Sequence, residues 1–181
     1  QIAFVVYGDV FVMKREDGEA RNLTRDNFRQ KDLAWSPDSK YLYYASDRAG
    51  NYDLFRISST DEDPLYRSMA LKTEQVTNNE QDDTRPDLSP DGKTIAFTRG
   101  RGDIVLADPD GKNERVFLEH WYDCDYSWSP DSRYLAYAMT DNMFNTDIYI
   151  KPVDGGTAVN ITQHPDEDYM PKWTADGNML Y

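Results

Sequence analysis

Trp128-Ser129-Pro130-Asp131-Ser132-Arg133-Tyr134-Leu135-Ala136-Tyr137 is written into this chain more than once. Trp35-Ser36-Pro37-Asp38-Ser39-Lys40-Tyr41-Leu42-Tyr43-Tyr44 and Leu88-Ser89-Pro90-Asp91-Gly92-Lys93-Thr94-Ile95-Ala96-Phe97 repeat it. Trp173-Thr174-Ala175-Asp176-Gly177-Asn178-Met179-Leu180-Tyr181 is a degenerate fourth copy. Proline presets the backbone for the second position of a type I turn, Asp suits the third, and Gly or Ser closes it, so each copy reads as a hairpin between two strands.

Counted from the turn Asp, position +4 is Leu42, Ile95, Leu135 or Leu180, and +6 is Tyr44, Phe97 or Tyr137. A two-residue period of large apolar side chains marks one face of a β-strand. Position +5, filled by Tyr43, Ala96, Ala136 or Tyr181, is apolar too, so this strand is expected to be covered on both faces. Ile2-Ala3-Phe4 matches the +4 to +6 triplet, so the chain enters partway through a unit.

The next strand follows an Asp each time, at Asp9, Asp53, Asp103 and Asp147. Asp17-Gly18, Asp110-Gly111 and Asp154-Gly155 then signal hairpins to a fourth strand. That strand ends in Leu23-Thr24, Val76-Thr77 or Ile161-Thr162, and the third unit departs with Val116-Phe117-Leu118. From Asp38 to Asp91, Asp131 and Asp176 the turns are 53, 40 and 45 residues apart, near the ~40–45 residues of a four-stranded propeller blade. The long first interval is an expanded hairpin from Ser58 to Gln75.

The fold class is therefore all-β: a β-propeller segment of four-stranded antiparallel blades, three full and two partial. The expected units are a partial blade over 1–25, blades over 26–77, 78–118 and 119–162, and a partial blade over 163–181. Seventeen strands are expected, with unpaired edges that favour association. In the rival arrangement, a closed four-blade ring, Pro171 to Thr174 would complete the first blade.

A net charge of −13 over 181 residues argues against a nucleic-acid partner, which needs a basic face. No apolar run approaches the ~18 residues of a membrane span. The single cysteine, Cys124, excludes an internal disulfide and a Cys-rich zinc site.

The Trp-Ser-Pro-Asp repeat, followed by Ser46-Asp47-Arg48-Ala49-Gly50-Asn51-Tyr52-Asp53-Leu54-Phe55, resembles the TolB-type, WD40-like repeat. Gly8-Asp9-Val10-Phe11 leading to Gly18-Glu19-Ala20-Arg21-Asn22-Leu23-Thr24-Arg25 looks most like the propellers of tricorn-like serine proteases of the tail-specific class. The resemblance implies a non-catalytic propeller that gates or steers peptides toward a core elsewhere in a parent chain. TolB-like interaction scaffolds of the periplasm and the propeller caps of prolyl-oligopeptidase relatives use the same turn. A periplasmic or exported location is favoured over a cytoplasmic one.

No catalytic, cofactor-binding or metal residue is assigned. Gly-x-Ser-x-Gly, phosphate-loop and His-Glu-x-x-His motifs do not occur. His120 or His164 could be drawn into a triad with Ser127 or Ser129 and Asp123, yet Ser129 has a turn to form. Asp47, Asn51 and Asp53, like Asp141, Asn145 and Asp147, have spacing compatible with calcium and equally with Asx turns. The repeated Trp35, Trp128 and Trp173 read as blade packing. Ser36, Pro37, Asp38, Ser89, Pro90, Asp91, Ser129, Pro130, Asp131 and Asp176 are the structural turns.

In an up-and-down blade the loops joining successive blades share one end with the loops joining second to third strands. That end collects Asp82, Asp83, Asp123, Asp125, Asp166, Glu167 and Asp168, which read either as acids that solvate exposed loops and cap strands or as a candidate acidic face for a basic peptide, a basic protein partner or a divalent cation.

Overall fold

The computed structural model describes residues 1–16 and 18–181; Asp17, first residue of the expected Asp17-Gly18 turn, lies outside the described residues. Four antiparallel sheets follow one another, each an up-and-down meander. The first holds β1 (Ile2–Val6), β2 (Asp9–Met13) and β3 (Arg21–Asn22). The second holds β4 (Gln30–Trp35), β5 (Tyr41–Ser46), β6 (Asp53–Ser59) and β7 (Leu71–Gln75). The third comprises β8 (Asp83–Leu88), β9 (Ile95–Arg99), β10 (Asp103–Ala107) and β11 (Arg115–Leu118). The fourth comprises β12 (Tyr126–Trp128), β13 (Tyr134–Thr140), β14 (Thr146–Pro152) and β15 (Val159–Asn160).

Among the described residues there are fifteen strands rather than seventeen. The last two expected strands contract to a bridge between Trp173 and Leu180, flanked by reciprocal Lys172–Tyr181 backbone bonds of 2.8 and 2.9 Å. Trp173 thus pairs within its own hairpin, and β1 pairs with β2. The ring closed through Pro171 to Thr174 is not adopted.

The core lies between the sheets. Leu42 and Tyr44 pack toward the preceding sheet against Val10 and Val12. Tyr43, one residue between them, joins Ile95, Phe97 and Val105 of the following sheet. Leu135 and Tyr137 meet Ile104, Leu106 and Phe117 in the third interface. The period of two therefore sorts neighbouring side chains of one strand into two different cores, which is why an isolated blade would leave a face uncovered. Leu65, carried by the expanded hairpin, plugs the first interface from the rim.

The recurring Asp before each third strand fastens the fourth. Asp53, fully buried, accepts from Gln75 Nε2 at 3.1 Å and Thr77 Oγ1 at 3.4 Å, while Thr77 Oγ1 accepts the Leu54 N–H. Asp9 with Asn22 and Thr24, and Asp147 with Asn160 and Thr162, repeat the pattern. Where the third sheet lacks the Thr, Asp103 instead accepts the His120 N–H at 2.9 Å, and β10 pairs β11 with a register shift. These bonds leave the Asp of each unit occupied in holding its own blade.

Candidate functional site

The two ends of the sheets differ. At the end bearing the Ser-Pro-Asp turns, Ser129 Oγ donates to Asp131 Oδ1 at 2.7 Å and accepts the Tyr134 N–H at 2.9 Å. Ser36 with Asp38, Ser89 with Asp91, and Thr174 with Asp176 form the same pair, so the degenerate fourth turn has the geometry of the others. The hydroxyl bond holds these carboxyls below their usual range, at about 2 for Asp131 and Asp176. Asp38, Asp91, Asp110 and Asp131 each lie 2.6–3.8 Å from the Lys or Arg two residues on. Gly111, at φ 82°, sits so close to the preceding blade that a Cβ there would meet Val76 O at 1.9 Å.

At the opposite end, hereafter the loop end, the expected acids receive unequal treatment. Asp83 is 0% exposed; Arg99 donates to both its oxygens at 2.8 and 3.0 Å and to Glu114, and Asn79 donates at 2.7 Å. It is a structural ion pair and is withdrawn from the surface. Asp82 is exposed and caps the Tyr52 N–H. Asp125 lies 3.6 Å from Arg85. Asp123, Asp166 and Glu167 stand exposed, and Asp168 is half-buried with its Oδ2 lacking a hydrogen-bond partner.

The residues weighed for a triad do not meet. His120 turns Nδ1 to the Tyr122 carbonyl at 2.8 Å, whereas Ser129 belongs to a turn at the far end of β12. The calcium-like spacings are spent on loops: Asp141 accepts two N–H groups of its own loop, Asp47 accepts the Arg29 N–H, and Asn51 and Asn145 donate to the carbonyls of Gln81 and His164. Among the described residues no group of three His, Cys, Asp or Glu is placed to hold a metal ion.

A cleft that the sequence did not announce lies where the first strands converge. The β4–β5 and β8–β9 pairings break at Lys31/Ala34 and Thr84/Asp87, and Asp32 and Arg85 take left-handed φ of 54° and 53°. Pro86, with no N–H to give, fits such a bulge on an edge strand. The result is a cleft of about 260 Å³ lined by Asp32, Arg85, Asp87, Cys124, Asp125 and Tyr126. Arg85 is central: its N–H reaches Asp32 at 3.3 Å, its guanidinium the Cys124 carbonyl at 3.5 Å, and its own carbonyl accepts the Tyr126 hydroxyl. Burial pushes Asp87 up to about 6, against the pull of Lys172, and pushes the Cys124 thiol up to about 12, so the thiol is inert. Each of the three carboxylates has a cation near it: Arg85 lies 3.6 Å from Asp125, Lys31 lies 3.9 Å from Asp32, and Lys172 acts on Asp87.

The TolB beta propeller domain family, PD40, matches residues 6–143. The chain belongs to this family. A tricorn protease homolog of Saccharolobus solfataricus is 26% identical over 99% of the chain, which spans 16% of that relative's length. The crystal structure of TolB from Acinetobacter baumannii superposes with a TM-score of 0.75 at 18% identity, over 95% of this chain and 42% of its own. The tricorn protease crystal structure superposes with a TM-score of 0.76 at 18% identity, over 98% of this chain and 17% of its own. The propeller segment thus spans under half the length of these relatives. Among the described residues no helix is long and apolar enough to cross a membrane.

Proposed function

We propose that this segment is the recognition propeller of a tricorn-like peptidase, holding cationic peptide at its loop end and steering it toward a catalytic core carried elsewhere in the parent chain. The observation that carries the reading is the cleft between first strands, which gathers Asp32, Asp87 and Asp125 beside Arg85. A peptide ammonium or Lys side chain entering there would exchange with Lys31 and Arg85 as partner of these carboxylates, and the net charge of −13 speeds the encounter of a cationic peptide with the chain. The exposed Ile2, Val5 and Val6 of β1 fit packing against the rest of a longer chain. A TolB-like interaction scaffold working in the periplasm or outside the cell is the second reading. It rests on the superposition with TolB and uses the same cleft.

Titration calorimetry of the full chain with a Lys-rich peptide tests the site. Replacing Asp32 and Asp125 with Asn is expected to weaken binding about tenfold, and added salt to weaken it further. Affinity should rise from about pH 5 to 7 as Asp87 ionises. Equal losses from neutralising Asp110 and Asp154 at the turn end would mean that only net charge matters, and would overturn the site.

A further inference from the structure

Three consecutive loops of the loop end carry large apolar side chains into solvent. Trp121 and Tyr122 lie between β11 and β12, Met143 and Phe144 between β13 and β14, and Tyr169 and Met170 beyond β15. Trp121 is 75% exposed and Phe144 71%. Hydrogen bonds join the loops into one surface: His120 Nε2 lies 3.5 Å from the Thr140 carbonyl, Asn145 Nδ2 donates to His164 O at 3.0 Å, and the Asp168 N–H donates to Thr146 O at 2.8 Å. Behind Tyr122 the chain is fitted closely, since a Cβ on Gly102 would stand 2.1 Å from the Tyr122 carbonyl.

Two of these side chains are held out on costly backbone. Phe144 and Met170 have φ of 64° and 53°, a left-handed conformation that bulky residues rarely adopt. Exposure and backbone strain are both unfavourable to the isolated fold, so folding alone does not account for an aromatic at 144. The surround is acidic. Among the described residues no Lys or Arg lies within ion-pair distance of Asp123, Asp166 or Glu167. Arg101, over the Trp121 ring at 5.8 Å, is the cation that borders the patch.

We infer that the aromatic surface of these three loops docks a protein segment in which Lys or Arg side chains flank apolar ones. An aromatic centre with a charged rim is the usual anatomy of an interface, with Trp and Tyr carrying most of its affinity. The unneutralised acids select a cationic partner and exclude both an anionic lipid surface and a second copy of this chain, whose charge is −13. The surface lies on the rim loops, outside the cleft between first strands, and does not depend on the peptidase reading.

Fluorescence anisotropy of a helical Leu/Lys peptide, titrated with the full chain, tests it against oligolysine of equal charge. The Leu/Lys peptide should bind about tenfold more tightly, and Trp121→Ser should remove about that factor. Phe144→Gly gives a readout that a structural role would not: it should raise Tm by relieving the backbone while weakening the Leu/Lys peptide about tenfold. Asp32→Asn with Asp125→Asn, which removes the cleft's share of oligolysine binding, should leave the Leu/Lys peptide at least about tenfold tighter than oligolysine. Equal affinity for the two peptides, or binding unchanged by Trp121→Ser and Phe144→Gly, overturns the surface.

Discussion

At the turn end, acids and cations come in local pairs: Asp38 with Lys40, Asp91 with Lys93, Asp110 with Lys112, Asp131 with Arg133. At the loop end, Asp123, Asp166 and Glu167 have no such neighbour among the described residues, and Trp121, Phe144 and Tyr169 stand in solvent beside them. The turn end repeats one geometry four times, including the copy in which Thr174 replaces Ser and Ala175 replaces Pro. No two of the three aromatic loops at the loop end share a sequence. A structural solution, once found, is copied, whereas recognition requires each loop to differ.

The sharpest break between the ends is a pair of tryptophans. Trp128, 7% exposed beside the turn, packs with Leu135 and Tyr137 and donates from Nε1 to the Asp87 carbonyl at 3.2 Å. Trp128→Ala should cost roughly 3–5 kcal/mol in urea unfolding. Trp121→Ala, 75% exposed at the loop end, should stay within about 0.5 kcal/mol. Similar losses at both sites would remove the distinction between the two ends.

That pair also marks what a sequence can reveal. Repeat position −3 identified Trp128 as core, because Trp35, Leu88 and Trp173 occupy the same place; Trp121 has no such counterpart, and residue type alone does not say whether an indole is buried. The +4, +5 and +6 residues were legible for the same reason, through a period of two enforced by strand geometry. Asp83 was not, since its neutralisation depends on Arg99 returning beside it on the paired strand, with Asp83 opposite Arg99 in register. Nor was the cleft: it is made by left-handed Asp32 and Arg85, residue types that carry no sign of such a backbone.

Asp87 shows the cleft trading stability for charge. Its folded pKa, about 6, lies above the unfolded value of 3.8. The native state therefore holds that proton more tightly, and stability falls as pH rises from about 4 to 6, then levels. Asp87→Asn should abolish this fall. After allowing for residual solvent screening, the variant should be about 2 kcal/mol more stable than the parent at pH 7 and nearly equal to it at pH 4. Chemical denaturation at the two pH values checks the sign, and a variant less stable at pH 7 would show that the charge supports the fold rather than the site.

The smallest effect compares two serines within the turn end. Ser39 and Ser132 follow the turn Asp at φ of 59° and 62°, where the other copies use Gly92 and Gly177. A left-handed non-glycine residue costs about 1–2 kcal/mol, of which roughly 0.4–1 is returned when glycine frees the unfolded chain. Ser39→Gly should therefore gain about 0.5 kcal/mol. Ser132 differs because its Oγ accepts the Asp91 N–H of the preceding blade at 3.0 Å. Removing that bond costs roughly 0.5–1 kcal/mol, so Ser132→Gly should be neutral or slightly unfavourable. The difference between the two variants isolates what one inter-blade hydrogen bond contributes at a wet surface. Equal gains would mean that water replaces Ser132 without loss, leaving the turn end to hold each blade but not to join neighbouring ones through this bond.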